Sequence, residues 1–155
     1  RCAEILAWAA GVDGICGGQF IDIVNEGKEL DLETLKDLQS KKTGTLIASA
    51  CMMGAAAAGA SEDVIEKASN FGMAIGAAFQ IRDDMLDELS TCAELGKTVG
   101  SDARVSKTTF MSVFGEEKCA EMIACLTESA KNEIASIGDC DFLFALAELL
   151  ASRKK

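Results

Sequence analysis

Histidine, proline and tyrosine are absent from the 155 residues, and tryptophan occurs once. Without histidine the chain cannot build a Ser-His-Asp or Cys-His arrangement, nor an imidazole metal site. Ordinary usage would supply about eight prolines; with none, nothing of that kind interrupts a helix. No apolar run approaches the roughly 20 residues needed to span a bilayer, so no integral membrane segment is expected. Positive charge is also scarce. Fifteen Lys and Arg face twenty-five Asp and Glu, a formal charge of −10. Nucleic acid is therefore not an expected partner, because phosphate contacts require a basic face. Small anions remain possible where metal ions carry the positive charge. The seven cysteines form no CxxC pair. Their scatter through apolar stretches reads as reduced and buried, and hence as cytoplasmic.

What is present is apolar and helical. Hydrophobic residues make up 49% of the chain, enough for a sizeable core and too many for disorder. Periodicity near 3.6 predicts helices over 2–10, 16–26, 32–40, 42–59, 62–89, 104–114, 116–136 and 141–152, with a loop over 90–103. No segment alternates with period two. The fold class is all-α, its helices packed as a bundle. The first segment, RCAEILAWAAG, starts as if already inside a helix and carries no initiator Met. The expected N-terminus lies upstream.

Chemistry concentrates in FQIRDDMLDE, residues 79–88. Gln80, Asp83, Asp84 and Asp87 fall at i, i+3, i+4 and i+7, one polar stripe bearing three carboxylates. Like charges at this spacing cost a bare helix about 0.2–0.5 kcal/mol per pair. A hard divalent cation would reverse that sign; a solvated acidic face is the alternative. The same stripe continues N-terminally into Gly76, Met73 and Gly72, expected here to wall an apolar slot. In KKTGTL, Lys42 and Thr43 are expected in the first turn of a helix, where free N–H groups favour an anion; an ordinary surface lysine pair is the alternative. No P-loop pattern precedes that helix. Lys97 and Lys107, in GKTVGSD and SKTTF, could bring positive charge towards the carboxylates. In GGQFID, Gln19 and Asp22 share a helical face and read as a helix–helix hydrogen bond rather than a site.

In order, GGQFID, KKTG, FQIRDDMLD, LGK and GSD…KTT resemble the C-terminal half of the trans-isoprenyl diphosphate synthases, the polyprenyl synthetases that include farnesyl and geranylgeranyl diphosphate synthases. The resemblance runs over nearly the whole chain. It implies an isoprenoid synthase bundle of which residues 1–155 are the C-terminal portion of a single domain, and a cytoplasmic, homodimeric prenyltransferase condensing an allylic diphosphate with isopentenyl diphosphate. By resemblance, Asp83 binds Mg²⁺ with Asp84 and Asp87 assisting directly or through water. Lys42 and Lys97 contact the allylic diphosphate, and Lys107 is a further candidate for it. Thr43 and Gln80 lie beside the reacting carbons. STCA at 90–93 and Thr98 depart from the family pattern without removing a catalytic group. The family's first aspartate-rich motif belongs to an N-terminal half that is not in this sequence, so the 155 residues alone are expected to be inactive. They are also expected to expose small-residue faces at Gly54–Gly59 and at Gly72, Met73 and Gly76. Other class I terpenoid synthases, or a non-catalytic subunit of a prenyl synthase, are the alternative readings.

Overall fold

The structure, a computed structural model, describes residues 1–95 and 108–154, and for 89–95 the backbone alone. Every regular element among the described residues is helical: α1 (Cys2–Ala10), α2 (Ile15–Val24), α3 (Leu32–Gln39), a π turn (Ser40–Gly44), α4 (Thr45–Ala57), α5 (Glu62–Leu95), α6 (Phe110–Ile134) and α7 (Asp141–Ser152).

Helix α5 is the axis of the bundle. One of its faces carries Phe71, Ile75, Ala78, Ile81 and Met85, all buried. Ala78, Ile81 and Met85 join Leu35, Phe110, Cys119 and Ile123 in one apolar cluster, and Phe71 and Ile75 join Ala130, Ile134, Cys140 and Ala147 in a second. The first joins α3, α5 and α6; the second joins α5, α6 and α7. Another face of α5 carries Gly72 and Gly76. A Cβ on Gly72 would lie 2.4 Å from Ala48 Cα, and one on Gly76 would lie 2.9 Å from Gly44 Cα. Side-chain bulk is missing there because the backbones of α4 and the π turn occupy the space. Gly72 and Gly76 therefore seat helix against helix, and the expected slot wall is not found. The small residues of α4 and of the turn after it divide accordingly: Ala48 is buried, whereas Gly54 and Gly59 face open space, as expected.

Several ends follow local chemistry. Asp31 caps α3 by accepting from the Thr34 N–H at 2.7 Å. Thr109 and Ser112 form a reciprocal capping box at the start of α6, satisfying two donors that a helix N-terminus otherwise leaves unpaired. Helix α2 ends at Val24, two residues short of the expected stop, and the turn closes at Gly27 with φ 77°. Of the helix expected over 104–114, the described part starts at Phe110, and residues 96–107 lie outside the described residues. Gly115, with φ 77° and ψ 170°, kinks α6 where two separate helices are expected. Helix α5 runs to Leu95, into the segment expected to be a loop.

Candidate active site

The largest departure from the sequence reading lies at Lys42 and Thr43. They do not open a helix. Ser40 and Gly44 both hold right-handed helical backbone, and the Thr45 N–H donates to the Ser40 carbonyl, five residues back. The chain passes from α3 into α4 through a π turn, a form that places an extra residue in one turn. Free N–H groups of a helix start are therefore not what an anion would meet here. What the π turn offers is side chains. Gly18 is buried in α2, and a Cβ there would lie 2.6 Å from the Lys42 N and 2.9 Å from its Cα. That close approach seats α2 on the turn. Four residues along α2, Asp22 accepts from Lys42 Nζ. The polar residue of GGQFID thus reaches the lysine of KKTG.

The adjoining hydroxyl reaches the acidic helix. Thr43 Oγ1 donates to Gln80 Oε1 at 2.9 Å, and Gln80 Nε2 donates to Asp84 Oδ1 at 3.2 Å. Asp84 Oδ2 accepts from the Phe110 N–H at 3.1 Å, an otherwise unpaired donor at the start of α6. Three motifs spread over residues 17–87 are therefore joined by side-chain bonds.

The carboxylate stripe is divided by its surroundings. Asp84 is buried. Desolvation raises its pKa above the usual carboxylate range, opposed by the bonds from Gln80 and Phe110 and reinforced by the charges of Asp83 and Asp87. Its position makes it a brace between α5 and α6. Asp83 is partly exposed and pairs with Arg153 at the end of α7. Asp87, one turn further, is exposed. Lys97 and Lys107 lie outside the described residues. Sequence reasoning missed two groups, Arg153 as partner of Asp83 and Asp22 as partner of Lys42. Each pairing spans many turns of helix, and no local spacing signals it.

The donor set suits a hard divalent cation. Asp83 and Asp87 offer carboxylate oxygens at i, i+4, and Asp83 already attracts a guanidinium. Among the described residues no three Cys, Asp or Glu side chains converge into a ready cage. A cation here would fill its coordination with water or ligand oxygens, as Mg²⁺ characteristically does.

The chain resembles known proteins over nearly its whole length. The polyprenyl synthetase family model matches residues 2–147. Geranylgeranyl diphosphate synthase of Cyanophora paradoxa is 38% identical over 96% of this chain and 50% of its own length. Farnesyl diphosphate synthase of Escherichia coli is 34% identical over 97% of this chain and 52% of its own. Among solved structures, an FPP/GFPP synthase from Zymomonas mobilis superposes with a TM-score of 0.80 at 32% identity, covering 96% of this chain and 49% of that one. The chain thus spans about half the length of the relatives it matches. With its all-α fold and its motifs in order, it belongs to the polyprenyl synthetase family.

Proposed function

We propose that this chain is the C-terminal portion of a single isoprenoid synthase domain, and that it forms one wall of a trans-prenyltransferase site condensing an allylic diphosphate with isopentenyl diphosphate. The observation that carries the reading is the bonded path from Thr43 through Gln80 to Asp84. It sets the hydroxyl and amide dipoles of Thr43 and Gln80 between a lysine and a carboxylate pair. That order suits a substrate with an anionic head and a carbon that becomes positive.

In this reading Lys42 holds diphosphate oxygens. Asp83 and Asp87 would hold Mg²⁺ directly, and Asp84 orients the pair through Gln80 and the α6 N-terminus. The metal would supply Lewis-acid stabilisation of the departing diphosphate. The allylic C–O bond breaks and its electron pair leaves with that diphosphate. The oxygens of Thr43 and Gln80 stabilise the carbocation. The isopentenyl double bond then attacks, and the resulting cation gives a proton to the departed diphosphate, leaving the lengthened chain with a new double bond. Lys97 and Lys107 join this reading as further diphosphate contacts through family resemblance.

The remaining surface supports a larger assembly. Trp8, Val12, Phe20 and Ile23 are exposed on or beside α1 and α2, as are Phe142 and Leu149 on α7. Exposed apolar patches of this kind mark contact surfaces. We assign them to the complementary half of the domain and to the second subunit of a homodimer. No described helix is long and apolar enough to cross a membrane. The free thiols at Cys2, Cys16, Cys51, Cys119, Cys125 and Cys140 accord with a reducing, cytoplasmic setting.

The test is Asp83→Ala in the full-length protein, assayed for condensation at saturating Mg²⁺. Turnover should fall by about 100-fold or more while far-ultraviolet circular dichroism stays unchanged. Near wild-type condensation would overturn the assignment.

A further inference from the structure

Three contacts converge where α7 ends. Beyond Ser152, Arg153 leaves the helix with φ −56° and ψ 148°. Its carbonyl accepts from Arg82 Nε at 2.9 Å. Its guanidinium lies over the Phe79 ring, with Cζ 3.9 Å from the centroid. Its Nη2 donates to Asp83 Oδ1. Phe79, Arg82 and Asp83 fall at i, i+3 and i+4, so a single turn of α5 grips one residue of the C-terminal segment in three ways.

The grip on Asp83 is not the strongest an arginine can make. A guanidinium fixed permanently to a carboxylate tends to bond both oxygens through two parallel N–H groups. Here Arg153 Nε is buried without a hydrogen-bond partner. The Asp83 side chain keeps 43% of its surface exposed, against 20% for Arg153. The carboxylate is open to solvent ions while its arginine is held mainly by stacking and by its own backbone. Two cations drawn to one carboxylate repel each other at short range.

We propose that Arg153 is the resident counter-cation of Asp83, and that a divalent cation binding there displaces it and loosens the C-terminal segment from α5. This rests on the reading of Asp83 as a metal ligand given above. The coupling is reciprocal: whatever factor the guanidinium takes from cation affinity, the cation takes from the hold on Arg153. For a partly exposed pair that factor is about two- to fivefold.

Two measurements on the full-length protein test this. Mn²⁺ binding is followed by electron paramagnetic resonance, counting only the sites lost in Asp83→Asn. Arg153→Gln should bind two- to fivefold tighter than wild type, and Arg153→Lys, which keeps the charge, should stay near wild type. Separately, the Arg153 Nε–H resonance, identified by its loss in Arg153→Gln, should move towards the position of solvated arginine on adding Mg²⁺, and should not move in Asp83→Asn. If Asp83→Asn leaves Mn²⁺ binding intact, the metal-ligand reading itself fails. If it weakens binding while Arg153→Gln is unchanged or weaker, or Arg153→Lys tightens equally, displacement is refuted and the metal site stands. A Nε–H resonance indifferent to Mg²⁺ would refute it too.

Discussion

Gly18→Ala tests whether the contact between α2 and the π turn sets the position of Lys42. The added Cβ would meet the Lys42 N at 2.6 Å and its Cα at 2.9 Å, whereas ordinary contact begins near 3.4 Å. Backbone atoms cannot rotate aside, so α2 and the turn must separate by about 0.8 Å. Overpacking of this kind costs about 1–3 kcal/mol. Against it stands the helix preference of alanine over glycine, about 0.5–1 kcal/mol. Gly54→Ala isolates that second contribution, because Gly54 is exposed in α4 with no atom within 4 Å of the added Cβ. The two variants should therefore differ by about 1–3 kcal/mol, with Gly54→Ala the more stable. For a protein of this size that is about 2–12 °C in melting temperature. Under the proposed function, catalysis should register the same shift. Displacing the turn strains the Asp22–Lys42 pair and moves the ammonium, and misplacement near 1 Å can cost up to about 100-fold. Thermal melts of both variants, with steady-state kinetics in the full-length protein, decide it. If Gly18→Ala melts with Gly54→Ala and uses allylic diphosphate normally, Lys42 is not positioned by this contact.

Thr43→Val removes the donor to Gln80 while keeping shape, and should cost about 0.5–1.5 kcal/mol in denaturant unfolding. A double-mutant cycle with Gln80→Leu should return coupling of similar size, and additivity would show that the hydrogen bond contributes nothing. Burial raises the pKa of Asp84, so between its unfolded and folded values the folded chain binds more protons than the unfolded one. Asp84 therefore lowers stability as pH rises through that window, and the stability of wild type relative to Asp84→Asn should fall from acid towards neutral pH. A relative stability that climbs with pH would refute the desolvated placement.

The helices were legible wherever a local rule set their ends. Cys2–Ala10 and Asp141–Ser152 fall where the apolar period runs out, and Asp31 caps α3 as its type and position suggest. The passage from α3 to α4 was not legible. Lys42, Thr43 and Gly44 read as the first turn of a new helix after a break at Lys41. In the fold Gly44 lies against Met73, with a Cβ there 3.3 Å from Cε, and close to Gly76. Contact with α5 thus carries helical backbone through a weak helix-forming sequence, and the extra residue is absorbed as a π turn. Propensity is a local quantity, whereas this packing is made across the bundle. Gly72 and Gly76 mislead for a related reason. A missing side chain is equally compatible with a slot and with a close helix crossing, and only the neighbour, here Ala48 in α4, decides between them.

The stripe from Gln80 to Asp87 was legible because it lies within two turns of one helix. The charge balance of the site was not, because it is set by residues 20 and 70 positions apart in sequence. Lys42 is paired with Asp22, and Asp83 with Arg153. Lys42 and Asp83, which the family resemblance assigns to diphosphate and to metal, each already face a charge of opposite sign from elsewhere in the fold. The partners hold Lys42 and Asp83 oriented before any ligand arrives. They also set a condition on binding under the proposed function. A diphosphate alone would gain Lys42 only against Asp22, and would meet the acidic α5 directly. A divalent cation alone would gain Asp83 only against Arg153. Brought together, cation and diphosphate neutralise each other while each takes its protein partner. Such a site favours the metal–diphosphate complex over either component, and that preference follows from the pairings themselves.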